Sequence, residues 1–150
     1  MTPRRIRPVA LCLFRQRGRL LVSTAYDRVK RDFYCRPLGG GIEFGERGAD
    51  AIVREIREEL GAEIEEVRWL GTLERLFTVE GEPGHEIVLV YDAVFADRAL
   101  YDRAVLHGHE AGAATEAFTA EWKSLEELAA GPARLVPEGL ADLMRGLPPA

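Results

Sequence analysis

Between Gly40 and Ala62 the chain reads GGIEFGERGADAIVREIREELGA, and this stretch holds the residues whose types and spacing point most directly to chemistry. On a helix, Glu55, Glu58 and Glu59 stand at i, i+3 and i+4, so their carboxylates fall within an arc of about 100°. Such a set suits a hard divalent cation, which takes carboxylate oxygens and completes its shell with water and substrate phosphates. A solvated acidic face is the plainer reading of any such triplet. Two features weigh against it. Like charges at these spacings oppose helix formation by a few tenths of a kcal/mol per pair. Glu58 and Glu59 also occupy the last turn before Gly61, a capping glycine, where the helix dipole prefers cations. A bound cation would offset both penalties. Beside the acids, Ile52, Val53, Ile56 and Leu60 form a second arc of similar width, so the acids lie at the rim of a packed surface.

With the glycines that precede it (Gly39, Gly40, Gly41), Glu46 ahead of the helix and Arg54 directly before the acids, the segment resembles the Nudix box, G-x5-E-x7-R-E-U-x-E-E-x-G-U, where U is bulky and apolar. Every polar and glycine position matches. Ala62 stands at the final apolar position, which implies weaker packing just after the helix, and Leu38 stands where many members have proline. The resemblance covers 23 of 150 residues but specifies many positions, which makes it far more selective than a lone glycine motif. It implies an α+β Nudix fold, an α/β/α sandwich with a mixed sheet and the box as loop-helix-loop, formed as one domain over residues 1–150.

The activity implied is metal-dependent hydrolysis of the pyrophosphate linkage in a nucleoside diphosphate joined to another moiety. By position in the box, Glu58 and Glu59 are metal ligands, Glu55 is a further ligand or the base that activates water, and the Gly40 carbonyl is an additional ligand. Arg54 and Glu46 pair with each other or with the acids to orient them. Mg²⁺ is the cofactor implied, with Mn²⁺ as a substitute. Outside the box, Glu116 lies five residues before Glu121-Trp122 and resembles the extra metal ligand of the nucleoside triphosphate branch, with Glu110 and Glu121 as rivals. The segments RPLGGGIEFGE and TLERLFTVEGEPGHEIVLVYDAVF resemble a broad bacterial group labelled ADP-ribose pyrophosphatase. ADP-ribose and nucleotide sugars therefore come first as substrates. Nucleoside triphosphates come second and dinucleoside polyphosphates third, ahead of a nucleotide-sensing module or an isoprenoid diphosphate isomerase that would use Cys35. Specificity is expected outside the box, at Arg36 and Tyr34. Phe33, Phe77 and Tyr91 are further aromatics that could stack on a base or belong to the core.

Composition agrees with a small-molecule enzyme. A chain of 150 residues that is 47% hydrophobic can bury its own core without disulfides. Its net charge of −5 gives no broad attraction to nucleic acid. An anionic substrate then needs local compensation, from metal ions or from Arg28, Lys30, Arg31 and Arg36. Cys12 and Cys35 have no metal or redox spacing and read as reduced residues of a cytoplasmic protein. The apolar run Val9 to Phe14 is too short for a membrane span or signal core. A homodimer is compatible with all of this.

The elements that must position the site follow from pattern. Val9 to Phe14 and Leu20 to Thr24 read as antiparallel strands around Gln16-Arg17-Gly18, and the box helix spans about Gly48 to Leu60. Val67 to Thr78 and Ile87 to Phe95 read as strands separated by a turn over residues 80–84. Ala96 to Phe118 reads as a long loop with short ordered pieces, and Thr119 to Lys123 as an edge strand. Ser124 and Glu127 cap a short helix through Leu128. Pro137-Glu138 opens a last helix with Leu140, Leu143 and Met144 inward.

Overall fold

An unbroken apolar run of the kind seen from Val9 to Phe14 suits a strand covered on both faces, and every residue in it is buried. A computed structural model describes residues 3–109 and 116–148. In chain order it contains β1 (Ile6–Leu13), β2 (Arg15–Gln16), β3 (Arg19–Asp27), β4 (Asp32–Arg36), β5 (Leu38–Gly41) and α1 (Gly48–Leu60). After these come β6 (Ile64–Val79), β7 (Glu82–Phe95), a 3₁₀ turn (Arg98–Asp102), β8 (Val105–His109), β9 (Ala117–Ser124), α2 (Leu125–Ala130), β10 (Arg134–Leu135) and α3 (Leu140–Arg145).

The strands form two mixed sheets, ordered β5-β1-β7-β6 and β10-β4-β3-β9-β8, with β2 paired to β3. β1 runs parallel to β7 and antiparallel to β5. Alternation along β1 divides the interior in two. Ala10, Cys12 and Phe14 join Ile52 and Ile56 of α1 in one cluster. Val9, Leu11 and Leu13 join Leu128 of α2 and Leu140 of α3 in the other. The helices therefore cover opposite faces of the strands, which is the α/β/α layering expected from the resemblance. Burying Ile52 and Ile56 completely contributes about 1.5–3 kcal/mol each before entropy is counted. In the same cluster the rings of Phe14 and Phe95 stack with centroids 4.0 Å apart.

Several boundaries differ from the sequence reading. The turn at Arg17-Gly18 joins β3 to the two-residue β2, while β1 belongs to the other sheet, because a strand buried on both faces sits inside a sheet. The β6–β7 turn is tighter than expected: Val79 pairs with Glu82, so Glu80-Gly81 makes the turn, and both residues adopt positive φ. The stretch read as a long loop contains the 3₁₀ turn and β8. β9 lies between β3 and β8, so it is not an edge strand; its neighbour β8, short and containing Gly108, has too little pattern to announce itself. α3 begins at Leu140 rather than at Pro137, after Gly139 in a left-handed conformation. Leu38 replaces the expected proline without disturbing the approach to the glycines: it is buried and pairs with Cys12 at the start of β5. Ala62 is buried in the α1-side cluster.

Candidate active site

The box helix runs from Gly48 to Leu60 as the pattern requires, and ends where Gly61 takes φ 65° and donates its N–H to the Arg57 carbonyl. Its N-terminal cap, Arg47, makes no side-chain cap hydrogen bond. The helix is held instead by the packing of its apolar stripe, and by a polar network on the neighbouring face.

Arg54 is the centre of that network. Its Nε donates to Glu46 Oε2 at 2.8 Å and its Nη2 to Glu46 Oε1 at 2.9 Å, a bidentate fork. The same Nη2 reaches the Gly41 carbonyl at 3.0 Å. Nη1 donates to Glu55 Oε1 at 3.0 Å and to Glu58 Oε2 at 3.2 Å. This supplies the local compensation that a stack of like charges otherwise lacks. It also draws the Glu46 carboxyl below its ordinary value, chiefly through the Arg54 hydrogen bonds, and holds the Arg54 guanidinium more firmly protonated, chiefly through Glu46.

The three helix acids are not equivalent. Glu55 and Glu59 are buried, whereas the Glu58 side chain is 43% exposed. The Glu55 carboxyl occupies the space where a β-carbon at position 40 would stand, about 2.5 Å away. Only glycine fits there, and the Gly40 backbone is thereby brought against the acidic face. Gly39 is equally constrained, with φ 148° and the Ala10 carbonyl in the place of a β-carbon.

The strand end that leads to Glu116 is brought to the same helix. A β-carbon at Gly108 would lie 2.8 Å from the Glu59 carbonyl, and Gly108 pairs with Phe118. Phe118, Ala120 and Trp122 all belong to or pack against the α1-side cluster. Glu116 continues that alternation, is exposed, and immediately precedes β9, whereas Glu121 lies on the opposite face. Glu110 lies outside the described residues.

Oxygen donors at i, i+3 and i+4 beside a glycine backbone fit a hard divalent cation by type. Their convergence is incomplete: among the described residues no three His, Cys, Asp or Glu side chains gather into a set that could hold a metal ion. Arg54 engages one oxygen of Glu55 and one of Glu58, and the second oxygen of each carboxylate is not bonded to the guanidinium.

Tyr34 and Arg36, the residues expected to contact substrate, both line a cavity of about 430 Å³ between β4, the end of β6 and the segment around Arg134. Of the upstream cations, Lys30 also lines it and Arg28 and Arg31 do not. Arg7, Arg75 and Arg134 complete its cationic lining, and sequence reasoning missed all three. A signal was present for Arg75. Along β6, residues 73, 75, 77 and 79 share the half-buried face, and an arginine at such a position is unusual. Asp27 was missed as well: it is buried and accepts from the backbone N–H groups of Val29, Lys30 and Glu80. These bonds draw its carboxyl below the ordinary value, the Lys30 N–H first. They tie the β3–β4 turn to the β6–β7 turn at the cavity wall. Of the other aromatics Phe77 also lines the cavity, whereas Phe33 packs against Tyr26 and Tyr91 lies in the core.

Comparison with known proteins agrees with this architecture. The sequence model of the NUDIX domain matches residues 4–145, and the chain belongs to this family of hydrolases. The family acts on nucleoside diphosphate derivatives and generally needs divalent metal cations. A MutT NUDIX hydrolase from Burkholderia pseudomallei superposes with a TM-score of 0.65 at 20% identity, covering 95% of this chain and 99% of that one. The ORF135 protein of E. coli gives 0.56 at 24% identity, covering 94% and 88%. An ADP compounds hydrolase gives 0.54 at 16% identity, covering 84% and 61%. At such identities these likenesses show the fold alone. A search of curated proteins finds no match. Among the described residues no helix is long and apolar enough to cross a membrane.

Proposed function

We propose that this single-domain chain hydrolyses the pyrophosphate linkage of a nucleoside diphosphate joined to a second moiety, with ADP-ribose and nucleotide sugars as the favoured substrates. The observation that carries this reading is the Arg54 clamp: one guanidinium holds Glu46, the Gly41 carbonyl, Glu58 and Glu55, and the Glu55 carboxyl abuts Gly40. Glu58, Glu59, Glu55 and the Gly40 carbonyl would hold the cation, Mg²⁺ or Mn²⁺, with Glu116 as an outer ligand. When bound, the cation neutralises phosphate oxygens and lowers the pKa of a water. Glu55, buried against Gly40, would serve either as a further ligand or as the base that accepts the proton of the attacking water. Arg54 and Glu46 keep its carboxylate oriented, a supporting role of the kind that commonly alters activity about 10- to 100-fold. Arg36 and Tyr34 contact the part of the substrate beyond the diphosphate.

A second reading, a nucleoside triphosphate pyrophosphohydrolase, is favoured by Glu116, which continues the α1-facing alternation of β9. An isomerase using Cys35 is disfavoured, since that thiol is buried and lies 3.2 Å from Thr24 Oγ1. Buried free cysteines at positions 12 and 35 accord with a cytoplasmic location.

The test is product analysis on ADP-ribose, nucleotide sugars, nucleoside triphosphates and dinucleoside polyphosphates, with Mg²⁺, with Mn²⁺ and with EDTA. Release of AMP and ribose phosphate from ADP-ribose, abolished by EDTA, is the expected result. Preferred release of pyrophosphate from triphosphates selects the second reading, and metal-independent turnover overturns both.

A further inference from the structure

The cavity beside β4 is lined by more cationic than acidic side chains, and its cations are incompletely used. Arg134 pairs with Asp32 at 3.1 Å and Lys30 bonds the Thr78 carbonyl. Arg7 and Arg75 share one carboxylate, Glu86, at 3.6 and 3.8 Å. Glu138 lines the cavity and acts on Arg75 through its charge, and Asp27 is committed to backbone N–H groups. Among the described residues, Arg36 Nη2 and Arg75 Nε are buried with no hydrogen-bond partner. The Arg75 side chain is only 11% exposed. Folded proteins rarely leave buried charged donors unsatisfied, and two such donors lining one cavity can serve an acceptor brought by a ligand.

The aromatic lining indicates what kind of ligand this is. One face of Phe77 is covered by the Arg75 guanidinium, 3.9 Å from the ring centroid, and Tyr34 is the other aromatic of the lining. With five cationic side chains to two aromatic ones, the lining suits charge before it suits a ring. It also adjoins the box. A β-carbon at Gly41 would lie 3.3 Å from Arg7 Nη2, at the cavity wall, while the Gly41 carbonyl accepts from Arg54.

The geometry points to an anion subsite, centred on Arg36 and Arg75, that takes a phosphoryl group of the substrate separate from the diphosphate cleaved at the box. Among the substrates proposed above, the subsite favours those that carry a phosphate beyond the cleaved diphosphate, such as a phosphorylated nucleotide sugar or a dinucleoside polyphosphate. The link to hydrolysis rests on the reading given under Proposed function; the anion site itself does not. Burial holds the Arg75 guanidinium below its ordinary pKa, which an incoming dianion would reverse.

The experiment is titration of the full chain with inorganic phosphate in EDTA, followed by calorimetry and by thermal melting. Saturable binding is expected, with affinity reduced at least about tenfold in Arg36→Met and in Arg75→Met, the loss of one charge-assisted contact. Arg36→Lys, which keeps the charge and loses the fork, should fall between, and Glu59→Gln should bind phosphate as the parent does. Each variant's own melting point shows that it is folded. In a second arm, ADP-ribose is compared with its 2′-phosphorylated form, the phosphorylated compound having the lower KM. Failure to bind phosphate, or binding unchanged in both Arg variants, overturns the subsite. Phosphate binding without hydrolysis of any pyrophosphate compound would instead overturn the proposed activity and leave the anion site standing.

Discussion

Arg54 and Arg75 are both partly buried arginines on neighbouring parts of the molecule, and they differ in how completely their nitrogens are used. Arg54 holds Glu46, Glu55, Glu58 and a backbone carbonyl, all within 3.2 Å. Arg75 has a carboxylate no closer than 3.8 Å, a ring beneath it and an orphaned Nε. Burial and hydrogen bonding move their basicities in opposite directions, up for Arg54 and down for Arg75. The contrast teaches that a cation can serve the fold or await a ligand, and that satisfaction of its donors distinguishes the two. On this comparison the box is an acidic site with an internal counter-ion, and the cavity is a cationic site whose counter-ion comes from outside.

The largest effect should come from the acids themselves. Glu58→Gln or Glu59→Gln should lower steady-state turnover by about a hundredfold or more at saturating Mg²⁺, while circular dichroism shows an intact fold. Near-parental rates in either variant would remove the metal-ligand assignment. Next comes stability, which separates the two arginines. Arg54→Ala leaves Glu55 buried beside unpaired carboxylates and should cost about 3 kcal/mol in denaturant unfolding. Arg75→Met leaves the buried Glu86 with Arg7 as a remaining cation 3.6 Å away and should cost less than Arg54→Ala. Equal losses at both positions would break the comparison.

Glu116→Gln sharpens the box side from outside. Loss of an outer ligand should lower turnover about tenfold, with Glu121→Gln close to the parent rate, since Glu121 lies on the other face of β9. Comparable rates for both would leave Glu55 as the preferred base and Glu116 as a solvated acid. The smallest effect is on acid stability. Because the folded pKa of Glu46 is depressed, its contribution is complete above the unfolded value, about 4.3, and disappears as pH falls through the folded value. Melting temperature should therefore decline less steeply below about pH 4 in Glu46→Gln than in the parent. Parallel curves would mean that the fork from Arg54 contributes nothing to acid stability.

Much of the box was legible because its information is local. Whereas the pairing of Arg54 with Glu46, which lies ahead of the helix, was one of the arrangements implied by the resemblance, the helix limits at Gly48 and Leu60 and the cap at Gly61 follow from residues close in sequence, where a rotation of about 100° per residue fixes who faces whom. The Ser124 cap of α2 was readable for the same reason: its hydroxyl accepts from the N–H three residues on. β8 was not. Five residues with a central glycine carry too weak an alternation to be seen before β9 supplies their partner.

The sequence by itself determined that three acids, an arginine and a glycine would share one end of a helix, because a helix is a local structure with one geometry. Only the tertiary structure decided that Arg36, from β4, and Arg75, from β6, would face the same cavity with nitrogens unpaired. The physical reason is that strand partnership depends on which residues far apart in the chain share a core, and donor satisfaction depends on every group those strands bring near.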